Sequence, residues 1–356
     1  MASPPKILAH LDLDAFFAAV EELEQPELAW VPLVVGGDPH GRGVVATANY
    51  HARRFGIHSA MSCAEALRRC PHAVFVRPRH KTYGEYSRSV WAVVREVVPA
   101  VERTGMDEGY LDFASVLTDF RKARTLAEAV QTAVKGATSL SCSLGVGTSK
   151  VVAKVASDRR KPGGITVVRP GREAAFLAPF PVRLLPGVGP RAEQRLKRLR
   201  IETIGDLAGL SDADLGHVLP GKIGRLLRDR ATGIDPRGLE QQPSKNISIS
   251  NEETFARDVS DAAQLHAELR RMATNLAEHL AKNGRVARTV TTKLRYPDFS
   301  IRSRSATLAV GSADAETIAD LACSLLDRGL RDRPGALRLV GVSVSNLEPY
   351  EQLALA

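Results

Sequence analysis

Lys6-Ile7-Leu8-Ala9-His10-Leu11-Asp12-Leu13-Asp14-Ala15-Phe16-Phe17 is the stretch whose reading decides the fold. Its apolar start, residues 7–11, reads as a short buried strand that Asp12 ends. The period then changes. Asp14 stands where it can cap a helix whose apolar positions include Phe16, Phe17, Val20 and Leu23. A second acidic stretch, Thr104-Gly105-Met106-Asp107-Glu108-Gly109-Tyr110-Leu111-Asp112, has a related build. Residues 101–106 and 109–113 read as two strands, with Asp107 and Glu108 at the turn between them. Half-buried carboxylates that converge repel one another unless a cation or hydrogen-bond donors join them. Asp12, Asp107 and Glu108 together offer the oxygen ligands that hard divalent cations take. Phe16 and Phe17, one turn away, either pack the core or wall a substrate pocket.

The chain has 356 residues, room for two to four domains. A hydrophobic share of 44% with 25% charged residues is that of an ordinary globular protein. Lys and Arg total 49 against 40 Asp and Glu, and the net charge of +9 points to an acidic partner, nucleic acid first. Cys63, Cys70, Cys142 and Cys323 form no Cys-x-x-Cys pair and no His cluster accompanies them, which argues against zinc and against a disulfide framework. His10, Asp12 and Asp14 break the only N-terminal apolar stretch, so no signal peptide is expected. No apolar run is long enough to span a bilayer. A cytoplasmic protein with no membrane partner is the expectation.

Between the acidic stretches lie strands at 32–35 and 44–47, a helical turn at 49–54 and helices at 61–69 and 81–98. Tyr50 and Arg53 share a face of that turn, where a hydroxyl and a guanidinium suit a phosphate; a solvated face is the plainer alternative. Helix 126–138, strand 140–148, helix 150–160, a basic turn and strand 165–168 complete an α/β unit. Gly145-Val146-Gly147 lacks the third glycine of a dinucleotide fingerprint. Pro186-Gly187-Val188-Gly189-Pro190-Arg191 then opens a basic helix. Such glycines bare backbone N–H groups at a helix N-terminus, where phosphate binds. This resembles a helix-hairpin-helix that grips the DNA backbone, the alternative being a tight helix–helix turn. Leu219 to Gly224 is a looser echo that reads as an ordinary turn.

Residues 235–244 are rich in Pro, Gly and Gln and read as a linker. Strand 247–255, helix 261–282, strands 286–296 and 300–310, helix 313–328 and strand 336–346 follow. Thr291, Lys293 and Arg295 alternate onto one face of their strand, and Arg302 and Arg304 do so on the next. Cations on one face of adjacent strands can lie against phosphates, with the helices covering the other face; a solvated sheet face is the alternative. Gln352, Leu353 and Leu355 at the end suit either an unstructured tail or a peptide that docks in a partner's apolar groove.

Four stretches in this order resemble the Y-family translesion DNA polymerases, of the bacterial DNA polymerase IV (DinB-like) branch. They are residues 10–17, residues 46–53, residues 106–112, and Ala153-Lys154-Val155-Ala156-Ser157-Asp158 leading to Lys161-Pro162. The resemblance covers essentially the whole chain. It implies a multidomain α/β (α+β) right hand: palm at 1–14 and 81–178, fingers at 15–80, and a helical thumb with helix-hairpin-helix at 179–238. A linker at 239–245, a βαββαβ little finger at 246–348 and a tail at 349–356 complete it. The family pattern Ser-Ile-Asp-Glu-Ala-Tyr-Leu-Asp has Gly105 and Gly109 here in place of Ser and Ala, a change that loosens a strand hairpin.

The resemblance also implies roles. Asp12, Asp107 and Glu108, with the Leu13 carbonyl, would hold two Mg²⁺ ions, Mn²⁺ being able to substitute. Thr47, Tyr50, Arg53 and Lys161 would contact the triphosphate. Phe16 would line the dNTP site, and Phe17 would stand at the steric-gate position under the incoming sugar. Small residues Ala15, Val44 and Ala60 suit an open pocket. Gly187, Gly189, Arg191, Lys293, Arg295, Arg302 and Arg304 would meet primer-template DNA. Gln352, Leu353 and Leu355 resemble a sliding-clamp peptide. The expected activity is low-fidelity primer extension past damaged template bases by a monomer. Asp14 and Asp112 are expected to support the site rather than ligate. A non-catalytic DNA-binding relative would lack the three carboxylates, and a nucleotidyl cyclase would need neither the hairpin at Gly187 nor the basic last domain.

Overall fold

In the computed structural model, β1 (Leu8–Leu13) lies at the centre of a five-stranded sheet. The structure describes residues 6–219, 221–240 and 247–350. The chain divides into two compact units, Met1–Pro243 and Ser244–Ala356.

After β1 the first unit runs through α1 (Phe16–Glu24), β2 (Leu33–Gly36), β3 (Val45–Ala48), α2 (Tyr50–Arg53), α3 (Cys63–Arg69), β4 (Val74–Val76) and α4 (His80–Val97). Next come β5 (Val101–Arg103), β6 (Glu108–Asp112), α5 (Ala123–Thr138), β7 (Cys142–Gly147), α6 (Lys150–Ser157) and β8 (Ile165–Val167). Five short helices close it: α7 (Glu173–Leu177), α8 (Pro190–Arg198), α9 (Ile204–Ala208), α10 (Asp212–Val218) and α11 (Lys222–Ala231).

The large sheet has the order β5-β6-β1-β7-β8. β1 is antiparallel to both β6 and β7, so both its edges are paired; α4 and α5 pack on one face and α6 on the other, and this double cover is why most of its residues are apolar without alternation. The core gathers Ile7, Leu11 and Leu13 with Tyr83, Val90, Trp91 and Val94 of α4 and Ala127, Val130 and Val134 of α5. A Cβ at Gly145 of β7 would sit 2.1 Å from the Ala153 carbonyl, so glycine there lets α6 lie directly on the strand. The three-stranded sheet β3-β2-β4 has a separate core of Val34, Val45, Ala48, Ile57, Cys63 and Ala66. The helices from α7 onward bury Leu177, Leu196, Ile204, Leu207 and Leu227 together with Val151, Val152 and Val155 of α6. That segment therefore shares its core with the large sheet's own helix.

Three local readings are corrected. Asp12 does not end the first strand, which runs on to Leu13, and Glu108 is the first residue of β6 rather than a turn residue. Pairing with β1 extends β6 backward, because Asp12 stands opposite Glu108. Asp14 caps no helix. Ala15 holds the N-cap position in a left-handed conformation (φ 49°), while Asp14 is buried and accepts hydrogen bonds from Ser141 Oγ, Ser143 Oγ and the Gly163 amide. Nor do residues 235–240 form a free linker. Asp235 is buried and pairs with Arg237, Lys6 donates to the Pro236 carbonyl, and the Glu240 amide donates to Glu102.

The second unit is β9 (Ser248–Val259), α12 (Ala262–Lys282), β10 (Arg285–Arg295), β11 (Ile301–Ser312), α13 (Ala315–Asp332) and β12 (Leu337–Pro349). It forms an antiparallel sheet ordered β11-β10-β12-β9. α12 and α13 cover one face, burying Leu269, Met272, Leu276, Ile318 and Leu326 against Val290, Leu294, Val340 and Val342. Gln352, Leu353 and Leu355 lie outside the described residues. Among the described residues no helix is long and apolar enough to cross a membrane.

Candidate active site

Strand pairing brings the two acidic stretches together. β1 and β6 place Asp12 opposite Glu108, and the Leu13 amide donates to the Asp107 carbonyl at 2.9 Å. Two lysines complete the cluster. Lys161 Nζ lies 2.6 Å from Asp12 and 2.8 Å from Asp158, and Lys154 Nζ lies 2.5 Å from Glu108 Oε2. Each carboxylate of the pair thus already has a cation against it. Among the described residues no group of three or more His, Cys, Asp and Glu is gathered as a metal-holding cluster.

The carboxylates differ electrostatically. Burial pushes the Asp12 pKa up against the pull of Lys161. Burial also raises that of Asp107, with the neighbouring charge of Glu108 adding to it. Glu108 is held down to about 2 by its contact with His10 and by the Lys154 ammonium, against the opposing effect of burial. His10 is fully buried, and burial lowers its pKa. It contacts Ser157 Oγ at 2.9 Å, Glu108 at 3.5 Å and Lys154 at 3.4 Å. His10 and Lys154 belong to the site although the sequence reading gave neither a role. No sequence signal marked them, because they meet only through the register that sets His10 opposite Gly145, where α6 brings Lys154 and Ser157 down onto β1.

α4 steadies the acidic turn. Trp91 Nε1 and Ser87 Oγ both donate to the Met106 carbonyl, at 3.1 and 2.5 Å. A Cβ at position 109 would lie 2.7 Å from the Trp91 ring and 2.7 Å from the Glu102 carbonyl. Gly109 is therefore required by this tryptophan and by the closeness of β5, and it does not loosen the turn. The Thr104 and Gly105 amides both donate to the Glu108 carbonyl at 3.1 Å and close the turn tightly.

Tyr50 and Arg53 occupy α2, whose first turn Asn49 caps by accepting from the Ala52 amide. The Arg53 guanidinium lies 4.9 Å over the Tyr50 ring, and its Nε donates to the Ala48 carbonyl. The Tyr50 hydroxyl is buried with no hydrogen-bond partner. Burial first, then the charge of Asp14, raises its pKa, with Arg53 and Lys161 pulling the other way. Thr47 on β3 is half-buried. Phe17 is half-buried, whereas Phe16 is 1% exposed and belongs to the core. Phe16 therefore packs in the core beside the Phe17 ring, centroids 5.6 Å apart, and does not line the site as expected. Val44 and Ala60 are exposed, and Ala15 packs against the core.

Gly187, Gly189 and Arg191 line a groove of about 990 Å³ with Arg195 and Arg198. Leu219 and Ile223 also line it, so the echo read as an ordinary turn contributes to this groove. On the second unit the register splits the four cations. Lys293 and Arg295 stand opposite Ser303 and Ile301, on the open face. Arg302 and Arg304 stand opposite Leu294 and Thr292, which face the helices, and Arg304 pairs with Asp332 of α13 at 2.5 Å. Alternation within each strand was legible; the phase between the strands depended on the hairpin register.

Residues 11–158 match the impB/mucB/samB family, residues 246–356 match its C-terminal domain, and residues 183–235 match the thumb domain of DNA polymerase-iota. The chain is 41% identical over 346 residues to DNA polymerase IV of Halorhodospira halophila, covering 97% of this chain and 96% of that protein. It is 39% identical over 353 residues to DNA polymerase IV of Methanoculleus marisnigri, covering 98% and 96%. Among solved structures, a Y-family DNA polymerase chimera superposes with a TM-score of 0.86 at 26% identity, covering 96% of this chain and 98% of that one. DinB from Sulfolobus solfataricus superposes with a TM-score of 0.64 at 26% identity, covering 95% and 98%.

Proposed function

The chain belongs to the impB/mucB/samB family of Y-family DNA polymerases, and from that premise we propose how its own residues extend a primer. It is a DNA-directed DNA polymerase of the low-fidelity, translesion kind, and polymerases of this family depend on divalent cations. Primer-template DNA and deoxynucleoside triphosphates are its substrates. The observation that carries the site assignment is the pairing of Asp12 with Lys161 and of Glu108 with Lys154 at facing strand positions. A carboxylate pair that draws two ammonium groups is suited to hard cations, which take oxygen ligands. Asp12, Asp107, Glu108 and the Leu13 carbonyl are assigned to hold two Mg²⁺ ions, with Mn²⁺ able to substitute. Bound there, the ions would neutralise charge at the primer 3′-hydroxyl and along the triphosphate.

The chain's own groups position the reactants. Lys161, released from Asp12, and Arg53 with its fork of donors bind the triphosphate oxygens. The unpartnered Tyr50 hydroxyl and Thr47 donate to the same anion. Phe17 lies under the sugar and leaves no room for a 2′-hydroxyl. Gly187, Gly189 and Arg191 grip the primer-template backbone, and Lys293 and Arg295 do so from the second unit. In-line alignment and fixed charge supply most of the rate. The palm, fingers, thumb and little-finger division at the boundaries given above belongs to this reading, as do a cytoplasmic location and action as a monomer.

Primer extension with a divalent-cation titration tests the assignment. Asp107→Ala lowers extension by at least about 10²-fold, the scale of losing one fixed charge-stabilising group. Extension that survives this substitution contradicts the metal assignment. Gln352, Leu353 and Leu355 are assigned to a sliding clamp. Deleting residues 352–356 leaves unaided synthesis intact and removes stimulation by the clamp; unchanged stimulation refutes it.

A further inference from the structure

Glu21 is a carboxylate with no exposed surface, and the catalytic scheme above does not use it. It lies on α1 four residues after Phe17, on the same face of the helix. A fully buried carboxylate is costly unless its lone pairs are filled. Here they are filled from the start of α4. Arg79 Nε lies 3.0 and 3.1 Å from the two carboxylate oxygens, and its Nη2 lies 2.6 Å from Oε2. The Tyr83 hydroxyl donates to Oε1 at 2.5 Å. Tyr83 is itself fully buried, and burial together with this hydrogen bond raises its pKa.

The same Tyr83 ring carries Phe17. The two rings stack with centroids 4.2 Å apart and planes 16° apart. His80 meets Phe17 edge-on at 5.8 Å and 84°. Phe17 is thus backed by two rings from the first turn of α4. Apolar packing alone would hold α1 to α4, and ring stacking favours an offset only weakly. The carboxylate adds direction, because the phenol oxygen has one place to go.

We propose that Glu21 is a positioning residue for sugar selection, acting through Tyr83 on the Phe17 ring. This rests on Phe17 being the steric gate. With Tyr83 tethered, Phe17 cannot slide toward α4 to make room for a ribose 2′-hydroxyl. With the tether cut, the ring retains its contacts and loses its fixed place.

The test is the ratio of kcat/KM for ribonucleotides to that for deoxynucleotides, measured on the full-length enzyme. Tyr83→Phe keeps the ring and removes only the tether. Glu21→Gln removes the charge that orients it. Both raise the ratio by about three- to tenfold, part of what a full steric contact discriminates. Phe17→Ala raises it further, and adding Tyr83→Phe to Phe17→Ala changes nothing more, because the two act in series. A role confined to stability would lower the melting temperature and both kcat/KM values together, leaving the ratio at the wild-type value. That result in Tyr83→Phe and Glu21→Gln, with Phe17→Ala still raising the ratio, overturns the proposal. An unchanged ratio in Phe17→Ala overturns the gate assignment itself.

Discussion

The two large sheets of this protein place their charged groups by different rules. In the five-stranded sheet, Asp12 and Glu108 sit at facing ends of adjacent strands, half-buried, each against a lysine from α6 or the turn after it. In the four-stranded sheet, Lys293 and Arg295 lie near the end of a long strand on an open face. The first arrangement works through position along a strand; the second works through the side of the sheet. Burial perturbs the first set, raising Asp12 and Asp107. The second set makes exposed pairs such as Lys293 with Glu252 at 2.8 Å, which are worth little and exchange readily for a phosphate. Fixed, perturbed charge is thus built where water is scarce, and exposed, weakly held pairs where it is plentiful.

The largest effect that sharpens this contrast concerns one glycine in each sheet. An alanine Cβ at Gly109 meets backbone and an indole ring, whereas at Gly341 its nearest neighbour is the flexible Glu252 side chain, with the Asn251 carbonyl at 3.1 Å. Gly109→Ala therefore destabilises the protein by about 1–3 kcal/mol, the usual cost of overpacking. Gly341→Ala comes out near zero, because about 0.5–1 kcal/mol of strand preference for Ala over Gly offsets the contact. Urea melts decide it, and equal losses at the two positions break the comparison.

A smaller effect separates the two faces of the second sheet. Lys293→Ala lowers the slope of log affinity against log salt for primer-template by about 1, as loss of one phosphate contact does. Arg304→Ala leaves that slope unchanged and costs under about 1 kcal/mol of stability through its pair with Asp332. A slope change in Arg304→Ala would put both cations on one functional face and refute the split.

The smallest effect is on acid stability. The Glu108 carboxyl is held to about 2, below its ordinary 4.5, so its contribution is complete above about pH 4.5 and lost as pH falls through about 2. Asp12 and Asp107 run the other way, since a raised carboxylate favours the folded state once protonated. The melting-temperature gap between wild type and Glu108→Gln therefore narrows on acidification through that window. A gap that widens reverses the assignment of Glu108 as the charged, lysine-paired member.

The fold order was legible because each element carries its own period. Residues 7–13 are apolar except His10 and Asp12 because helices lie on both faces of β1, and the α4 stripe of Val90, Trp91 and Val94 is where the sheet packs. The site was legible as far as its residue types and order went. Phe16 and Phe17 were not separable, because two adjacent aromatics look alike until the helix is phased against its neighbours. Asp14 read as a cap because an acidic residue before an apolar helix commonly is one, while here β7 and the Gly163 turn claim it. Glu21 carried no signal at all, for a glutamate at a helical position is nearly always solvated.

By itself the sequence determined the succession of strands and helices, the three carboxylates, Lys161 after α6 and the glycine hairpin, since all of these are local in the chain. Only the tertiary structure decided which strands are neighbours and in what register. Register put Asp12 against Glu108, His10 against Gly145 and so against α6, and Arg302 and Arg304 on the helix side of their sheet. The physical reason is the two-residue period of a strand. One residue of slip turns every side chain to the opposite face, and the packing energy that forbids the slip comes from residues far away in sequence.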